Sequence, residues 1–289
     1  MIIRTVLMSM AAVLTLTACN AQKQNEPLEA EAAPLYTQLG DDPSWQTVKD
    51  SDALRPHHTN TTKGYKGSKI DVNNALVEVG PYANNPIIQD NLAIHTVGHA
   101  SIRRDQFERW TRWYQEDGNT QVFRLFKGEE NLRNKRENAA RIESFSTKDK
   151  WAPAEGVWRE WAGRFTIIKS AGCALPHMCS IFQAKGNNVD HWSVMIRLDE
   201  HGNIWYVPRK QQPEIGNKKY IVAKNMNGKG FDVRVRDNGM DYEVYIDNKK
   251  VGFGQWERTE EIGFRWGIYV GRSEVTDDIM LFASGVTMH

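Results

Sequence analysis

The sequence predicts an all-β protein, a β-sandwich or jelly roll, on three observations. From Thr120 onward the apolar residues recur at every second position, the period of a strand with one buried face. The runs are short and numerous, and polar turns rich in Asn, Asp and Gly separate them. Little of that stretch carries a helical period, so sheet must pack on sheet to bury the apolar faces.

The elements follow in order. Residues 45–115 are irregular, with many Asn, Gly and Pro, and Asp105–Tyr114 is either a short helix or a Trp-rich packing segment. Candidate strands then run Gln121–Phe126, Arg141–Phe145, Val157–Ile168, Ser180–Ala184, Ser193–Leu198, Ile204–Val207 and Tyr220–Ala223. They continue with Phe231–Arg236, Tyr242–Ile246, Val251–Phe253, Phe264–Tyr269 and Ile279–Val286. The turns between them include Glu200–Asn203, Asn225–Gly230 and Asp247–Lys250, the last a hairpin signal. A large curved sandwich of this kind presents a concave sheet face, where polymers bind and rim aromatics can stack on sugar rings.

The start of the chain reads as an export signal. Arg4 supplies a short basic beginning, an apolar run follows to Thr15, and Leu16-Thr17-Ala18-Cys19 offers small residues before a cleavage point. The ending resembles the bacterial lipobox. That resemblance implies cleavage before Cys19, lipid on its thiol and, with Asn20 next, placement at the outer membrane or cell surface. We therefore expect a signal peptide over residues 1–18, a lipid-anchored flexible tether over 19–44 and one folded β-domain over 45–289. Loss of residues 1–18 removes Arg4 from 37 cationic side chains and leaves 36 against 36 acidic ones. A chain with no net charge has no global field to draw it to nucleic acid or to a membrane surface, so anion binding must be local. Contact with the membrane is expected through the lipid alone, and the protein is expected to be a monomer.

The remaining cysteines, Cys173 and Cys179, flank a short loop in a chain expected outside the reducing cytosol, so a disulfide is expected. A metal site from Cys173, His177 and Cys179 lacks a fourth ligand at recognisable spacing. His95 and His99 form a weaker metal pair. Asp71, Asn73 and Asn74 fit either a structural calcium site or a plain turn.

Three strands carry polar residues where a core would not. Residues two apart on a strand share a face, which pairs Arg141 with Glu143, Gln183 with Lys185, and Arg265 with Gly267 and Tyr269. If these faces are all the concave one, guanidinium, amide, ammonium and phenol groups converge there as an anion-binding set. Secondary binding candidates are His191, Trp192, Arg197 and Arg209. Arg197 shares its face with Ser193 and Met195, while Val194, Ile196 and Leu198 take the apolar side.

Over roughly residues 120–289 the stretches Arg141-Ile142-Glu143, Gln183-Ala184-Lys185 and Arg265-Trp266-Gly267-Ile268-Tyr269 resemble the motifs of the alginate-lyase-like jelly-roll polysaccharide lyases, family 7 and its relatives. The resemblance implies a concanavalin A-like jelly roll and β-elimination on an anionic polysaccharide, with no cofactor required for the chemistry. Two positions depart from the alginate-lyase pattern. Phe145 stands where that pattern has a second Arg, and Lys185 where it has His. A Lys there is similar to the ulvan lyases of polysaccharide lyase family 28, which points to ulvan, an algal polymer of uronic acid and sulfated rhamnose. In this reading Arg141 and Gln183 neutralise a uronate carboxylate. Lys185 is the base and Tyr269 the acid, or Tyr269 alone does both while Lys185 neutralises charge. A non-catalytic sugar-binding lipoprotein is the alternative of another class. A glycoside hydrolase would need a close carboxylate pair, and no strand carries a Glu-x-Asp-x-x-Glu run.

Overall fold

Alternation of buried and open positions runs through the strands of the computed structural model, as in Gly230–Asp237 and Asp241–Ile246, where every second residue is buried. The structure describes residues 92–95, 102–104, 107, 113–129, 140–146, 150–152, 156–186, 192–208, 220–255, 261–271 and 274–289. All of them fall within one unit, residues 33–289. The expected signal peptide, tether and Cys19 lie outside the described residues, as do Asp71, Asn73, Asn74, His99, His191 and Arg209.

The described strands are β1 (Leu92–His95), β2 (Ile102–Arg103), β3 (Tyr114–Asp117), β4 (Thr120–Leu125), β5 (Arg141–Ser146), β6 (Arg159–Lys169), β7 (Cys179–Gly186) and β8 (Trp192–Leu198). They continue as β9 (Ile204–Pro208), β10 (Tyr220–Ala223), β11 (Gly230–Asp237), β12 (Asp241–Ile246), β13 (Lys249–Gln255), β14 (Ile262–Val270) and β15 (Ile279–Met288). One sheet has the order β10-β9-β8-β7-β14-β5-β1-β2 and the other β13-β12-β11-β6-β15-β4-β3. The paired strands are antiparallel throughout both sheets. This is the jelly-roll sandwich expected from the periodicity, and every strand anticipated after Thr120 is present within a few residues of its expected bounds.

The region before Thr120 differs from expectation. It supplies β1, β2 and β3, and Tyr114, placed at the end of a helix or packing segment, opens β3. The reason is local. β2 is too short to show a period. In β3 the polar Gln115 is buried, and Glu116 accepts two hydrogen bonds from Arg104 at 2.8 Å, so the apolar alternation is hidden. The turn after β12 behaves as read, with Asp247 and Asn248 both at positive φ (47° and 62°), as a two-residue hairpin of the primed type requires.

The core lies between the sheets. Trp161 of β6 packs against Phe182 of β7 and Trp266 of β14, with ring centroids 5.0 and 5.8 Å apart. One polar crosspiece passes through it. Gln121 of β4 donates to Ser144 Oγ of β5 at 2.9 Å and to the Tyr114 hydroxyl at 2.7 Å, and it accepts from Trp266 Nε1 of β14 at 2.7 Å. A buried amide costs little only when its bonds are made. These bonds also tie together the two strands that carry Arg141 and Tyr269. Burial pushes the Tyr114 hydroxyl well above its ordinary pKa, helped by the charge of Glu116, so it stays a neutral donor in this network.

Candidate functional site

The outer face of the eight-stranded sheet, turned away from this core, carries the polar residues singled out in the sequence. Directly paired residues on antiparallel strands share a face, so the register can be followed from strand to strand. Arg141 of β5 pairs with Tyr269 of β14, Tyr269 with Ser180 of β7, Ser180 with Arg197 of β8, Arg197 with Trp205 of β9, and Trp205 with Ile221 of β10. One row therefore crosses six strands as Arg141, Tyr269, Ser180, Arg197, Trp205 and Ile221. A second row runs Phe145, Arg265, Gln183, Met195 and Val207. A third joins Gly263, Lys185 and Trp192.

Two irregularities shape the first row. β7 carries an extra residue between Ser180 and Phe182 relative to β8, and β14 one between Trp266 and Tyr269 relative to β7. Bulges of this kind re-aim side chains. Here they bring Ser180 to the outer face while Cys179, Ile181 and Phe182 stay in the core. Gly267 lies in the β14 bulge at φ 126°, where a Cβ would stand 2.4 Å from the Ile142 carbonyl oxygen and 2.9 Å from the Phe123 ring.

Arg141, Glu143, Gln183, Arg265 and Tyr269 come together. The Arg141 guanidinium carbon lies 4.6 Å from the centre of the Tyr269 ring, a cation–π arrangement. Arg141 Nη1 is 3.7 Å from Glu143 Oε2, and Glu143 is 1% exposed. Gln183 Nε2 donates to Glu143 Oε1 at 2.5 Å. A carboxylate only accepts, so the amide presents N–H to Glu143 and retains a second N–H for another partner. Glu143 Oε2 has no hydrogen-bond partner although it is buried. Arg265 lies over the Phe145 ring, 5.8 Å from its centre. Burial lowers the Arg265 guanidinium below its ordinary pKa, Glu143 opposes that shift and Arg141 adds to it.

Arg197 belongs to the same site. Burial lowers its guanidinium as well, and the Tyr269 oxygen acts in the opposite direction. Its Nη2 contacts Met195 Sδ at 3.4 Å. Ser193, expected on the Arg197 face, is not there. Its hydroxyl donates to Asp237 of the other sheet at 2.8 Å, because the register shifts between β7 and β8 near Trp192.

Lys185 is on the outer face as expected, in the row next to that of Arg265 and Gln183. Its partner on β14 is Gly263, two residues along the same face from Arg265. Trp192 lies opposite it on β8. Of the histidine pair, His95 has its backbone in β1, paired with Glu143 of β5.

Cys173 and Cys179 form the expected disulfide, with Cα atoms 4.9 Å apart. Both thiols are consumed, which removes them from the Cys173–His177–Cys179 metal reading. The loop is further held where Leu175 N donates to Glu200 Oε2 at 2.8 Å and Ser170 Oγ to the Glu200 carbonyl at 3.0 Å. It enters β7 one residue before Ser180. Sequence reading did not single out Ser180 or Trp205. Trp205 had a signal, since it stands between two buried strand residues, Ile204 and Tyr206, and so must face outward.

Fold and site together define a β-jelly-roll protein whose outer sheet face gathers guanidinium groups, an amide and a buried carboxylate around a phenol. No protein-family model matches the sequence, and no curated protein matches it. Among solved structures the chain is similar to an alginate lyase from Corynebacterium sp., at 12% identity over 69% of this chain and 94% of that one, with a TM-score of 0.53. It is similar to an alginate lyase from Klebsiella pneumoniae, at 10% identity over 72% and 98%, with a TM-score of 0.53. It is also similar to alginate lyase AlgAT5 from polysaccharide lyase family 7, at 12% identity over 69% and 94%, with a TM-score of 0.52. At these identities the likeness is one of fold.

Proposed function

We propose that the protein is a polysaccharide lyase that cleaves a uronate-containing anionic polymer by β-elimination. The observation that carries this reading is the row in which Tyr269 stands between Arg141 and Arg197, with Gln183 and Glu143 beside it. The fold it shares with solved alginate lyases supports the same reading.

The chemistry begins with the carboxylate. The proton on C5 of a uronate is hardly acidic while the carboxylate beside it is an uncompensated anion. Arg141 suits a planar two-point contact to that carboxylate, the second N–H of Gln183 adds a donor, and Arg265 supplies charge close by. These groups stabilise the enolate-like charge as it develops. Tyr269 in its deprotonated form takes the C5 proton, the C–H electron pair becomes the C4–C5 double bond, and the C4–O4 bond breaks. Tyr269 then passes the same proton to O4. The products are a chain that ends in a reducing sugar, whose anomeric hydroxyl keeps the former glycosidic oxygen, and a chain that begins with an unsaturated uronate.

Tyr269, with the Arg141 guanidinium 4.6 Å from its ring centre, is assigned both proton steps here, and the division of labour with Lys185 on the same face is the alternative. A single group serves both steps only when H5 and O4 lie on one side of the ring, as in glucuronate and mannuronate. Iduronate and guluronate place them on opposite sides and would need a second residue.

For the polymer itself ulvan is the first choice, because Phe145 and Lys185 replace the residues of the alginate-lyase pattern. Alginate and glucuronan are the other lyase substrates in view. We further propose that the chain is lipid-anchored at the outer membrane through Cys19. Mass spectrometry of the mature N-terminus tests this, and an unmodified Cys19 would refute it. The function is tested by incubating the protein with ulvan, alginate, glucuronan and a heparin-type polymer and following the ultraviolet absorbance of the unsaturated product. Absorbance with at least one polymer is expected. Binding without product on all of them would turn the reading to a non-catalytic carbohydrate-binding protein.

A further inference from the structure

We infer that Trp205 is a sugar-stacking platform three strands away from Tyr269, and that it makes the site favour long chains over short ones. This rests on the reading of the outer sheet face as a carbohydrate site and extends it along the polymer.

Trp205 belongs to the same transverse row as Tyr269, reached through Ser180 and Arg197 by direct register pairs. Its neighbours Ile204 and Tyr206 are buried in the core, at 0% and 2% exposure, so its indole is on the outer face. The indole edge is already occupied. Nε1 donates to Asp199 Oδ2 at 2.8 Å. The Asp199 carboxylate is 1% exposed and also accepts from His201 N, Asn203 N and Asn203 Nδ2 at 2.9–3.0 Å. A carboxylate held by four donors does not turn, and it fixes the ring that leans on it. What Trp205 then offers to a ligand is its apolar face rather than a hydrogen bond, which suits the face of a pyranose ring. Ile221, its register partner on β10, is 40% exposed and extends the apolar strip beyond it.

Spacing assigns the ligand a direction. Adjacent strands lie about 4.8 Å apart, so three steps from β14 to β9 span about 14 Å, farther than one sugar ring reaches. A chain that has one uronate at Tyr269 and a ring on Trp205 must lie across the strands. Its intervening sugars pass over Arg197, a cation suited to an acidic group on one of them. A short oligomer bound at Tyr269 does not arrive at Trp205.

The test measures binding in the Tyr269→Phe background, which leaves ligand uncleaved, by isothermal titration with disaccharides and hexasaccharides prepared from ulvan, glucuronan and polymannuronate. Adding Trp205→Ala is expected to weaken hexasaccharide binding on the order of tenfold, the scale of one well-packed aromatic contact, and to leave disaccharide binding unchanged. Trp205→Phe, which keeps a ring without the bond to Asp199, should restore most of the loss. Thermal melting of each variant checks that it is folded. Equal loss at both lengths, or no loss with the hexasaccharide, would overturn the proposal. Should the wild type bind these oligomers without cleaving any polymer, the lyase reading alone fails and the length dependence still decides the role of Trp205. Should it bind none of them, both fail.

Discussion

Gln183 and Glu143 meet at 2.5 Å across the strand that separates them, Gln183 on β7 and Glu143 on β5 with β14 between. The bond sets the orientation of the amide, because a carboxylate accepts and does not donate. It also holds a buried negative charge among Arg141, Arg265 and the amide, where two guanidinium groups would otherwise repel each other. In the proposed mechanism that charge keeps the guanidinium groups in place until substrate supplies its own carboxylate.

Glu143→Gln keeps the shape of this group and removes its charge. The charge-assisted bond to Gln183 is lost and the amide is no longer held in one orientation. A hydrogen bond to a charged group contributes roughly 1.5–3 kcal/mol, so kcat/KM on the cleaved polymer should fall roughly 10- to 100-fold. Steady-state kinetics with a parallel melting curve check this, and unchanged kcat/KM in a folded variant would remove Glu143 from the site.

Lys185→Ala should retain activity within about tenfold, since general acid–base groups contribute roughly 10²–10⁴-fold and the proposed mechanism gives both proton steps to Tyr269. Initial rates on the preferred polymer measure it. A loss of a thousandfold or more would restore Lys185 to the reaction and overturn the assignment of both proton steps to Tyr269.

Gly267→Ala should be destabilising by at least about 2 kcal/mol, because a side chain at φ 126° is strained and its Cβ meets the Ile142 carbonyl oxygen and the Phe123 ring. Relaxing that contact changes the bulge that aligns Tyr269 with Ser180, so activity should fall further than stability alone explains. Denaturant unfolding gives the first quantity and kcat the second. A variant as stable as the wild type would contradict the close approach.

Much of this arrangement was legible in the residues. The period of two after Thr120 located the strands, and the same alternation placed Arg141, Gln183, Lys185 and Tyr269 on outer faces. What alternation does not encode is how far one strand is slid along the next. The offset between Lys185 and Tyr269 depends on pairing Lys185 with Gly263 and on the bulge at Trp266–Tyr269, and a bulge adds a residue without changing the apparent pattern on either side. Ser193 shows the same effect, turned inward to Asp237 by a shift in register. β3 was hidden for a different reason. Its buried positions include Gln115, whose polarity conceals the strand and whose amide oxygen accepts from Arg124 Nη2 of β4 at 3.4 Å.

The central claim is that Tyr269 moves the proton from C5 to O4. Tyr269→Phe removes one oxygen and leaves the ring under Arg141. The most direct measurement is the rate of ultraviolet absorbance from unsaturated uronate, wild type against Tyr269→Phe, on the polymer the wild type cleaves. A fall of about a thousandfold or more with an unchanged melting temperature is predicted, the upper range for a group acting as base and acid. Cleavage by Tyr269→Phe at a rate near that of the wild type would contradict the account.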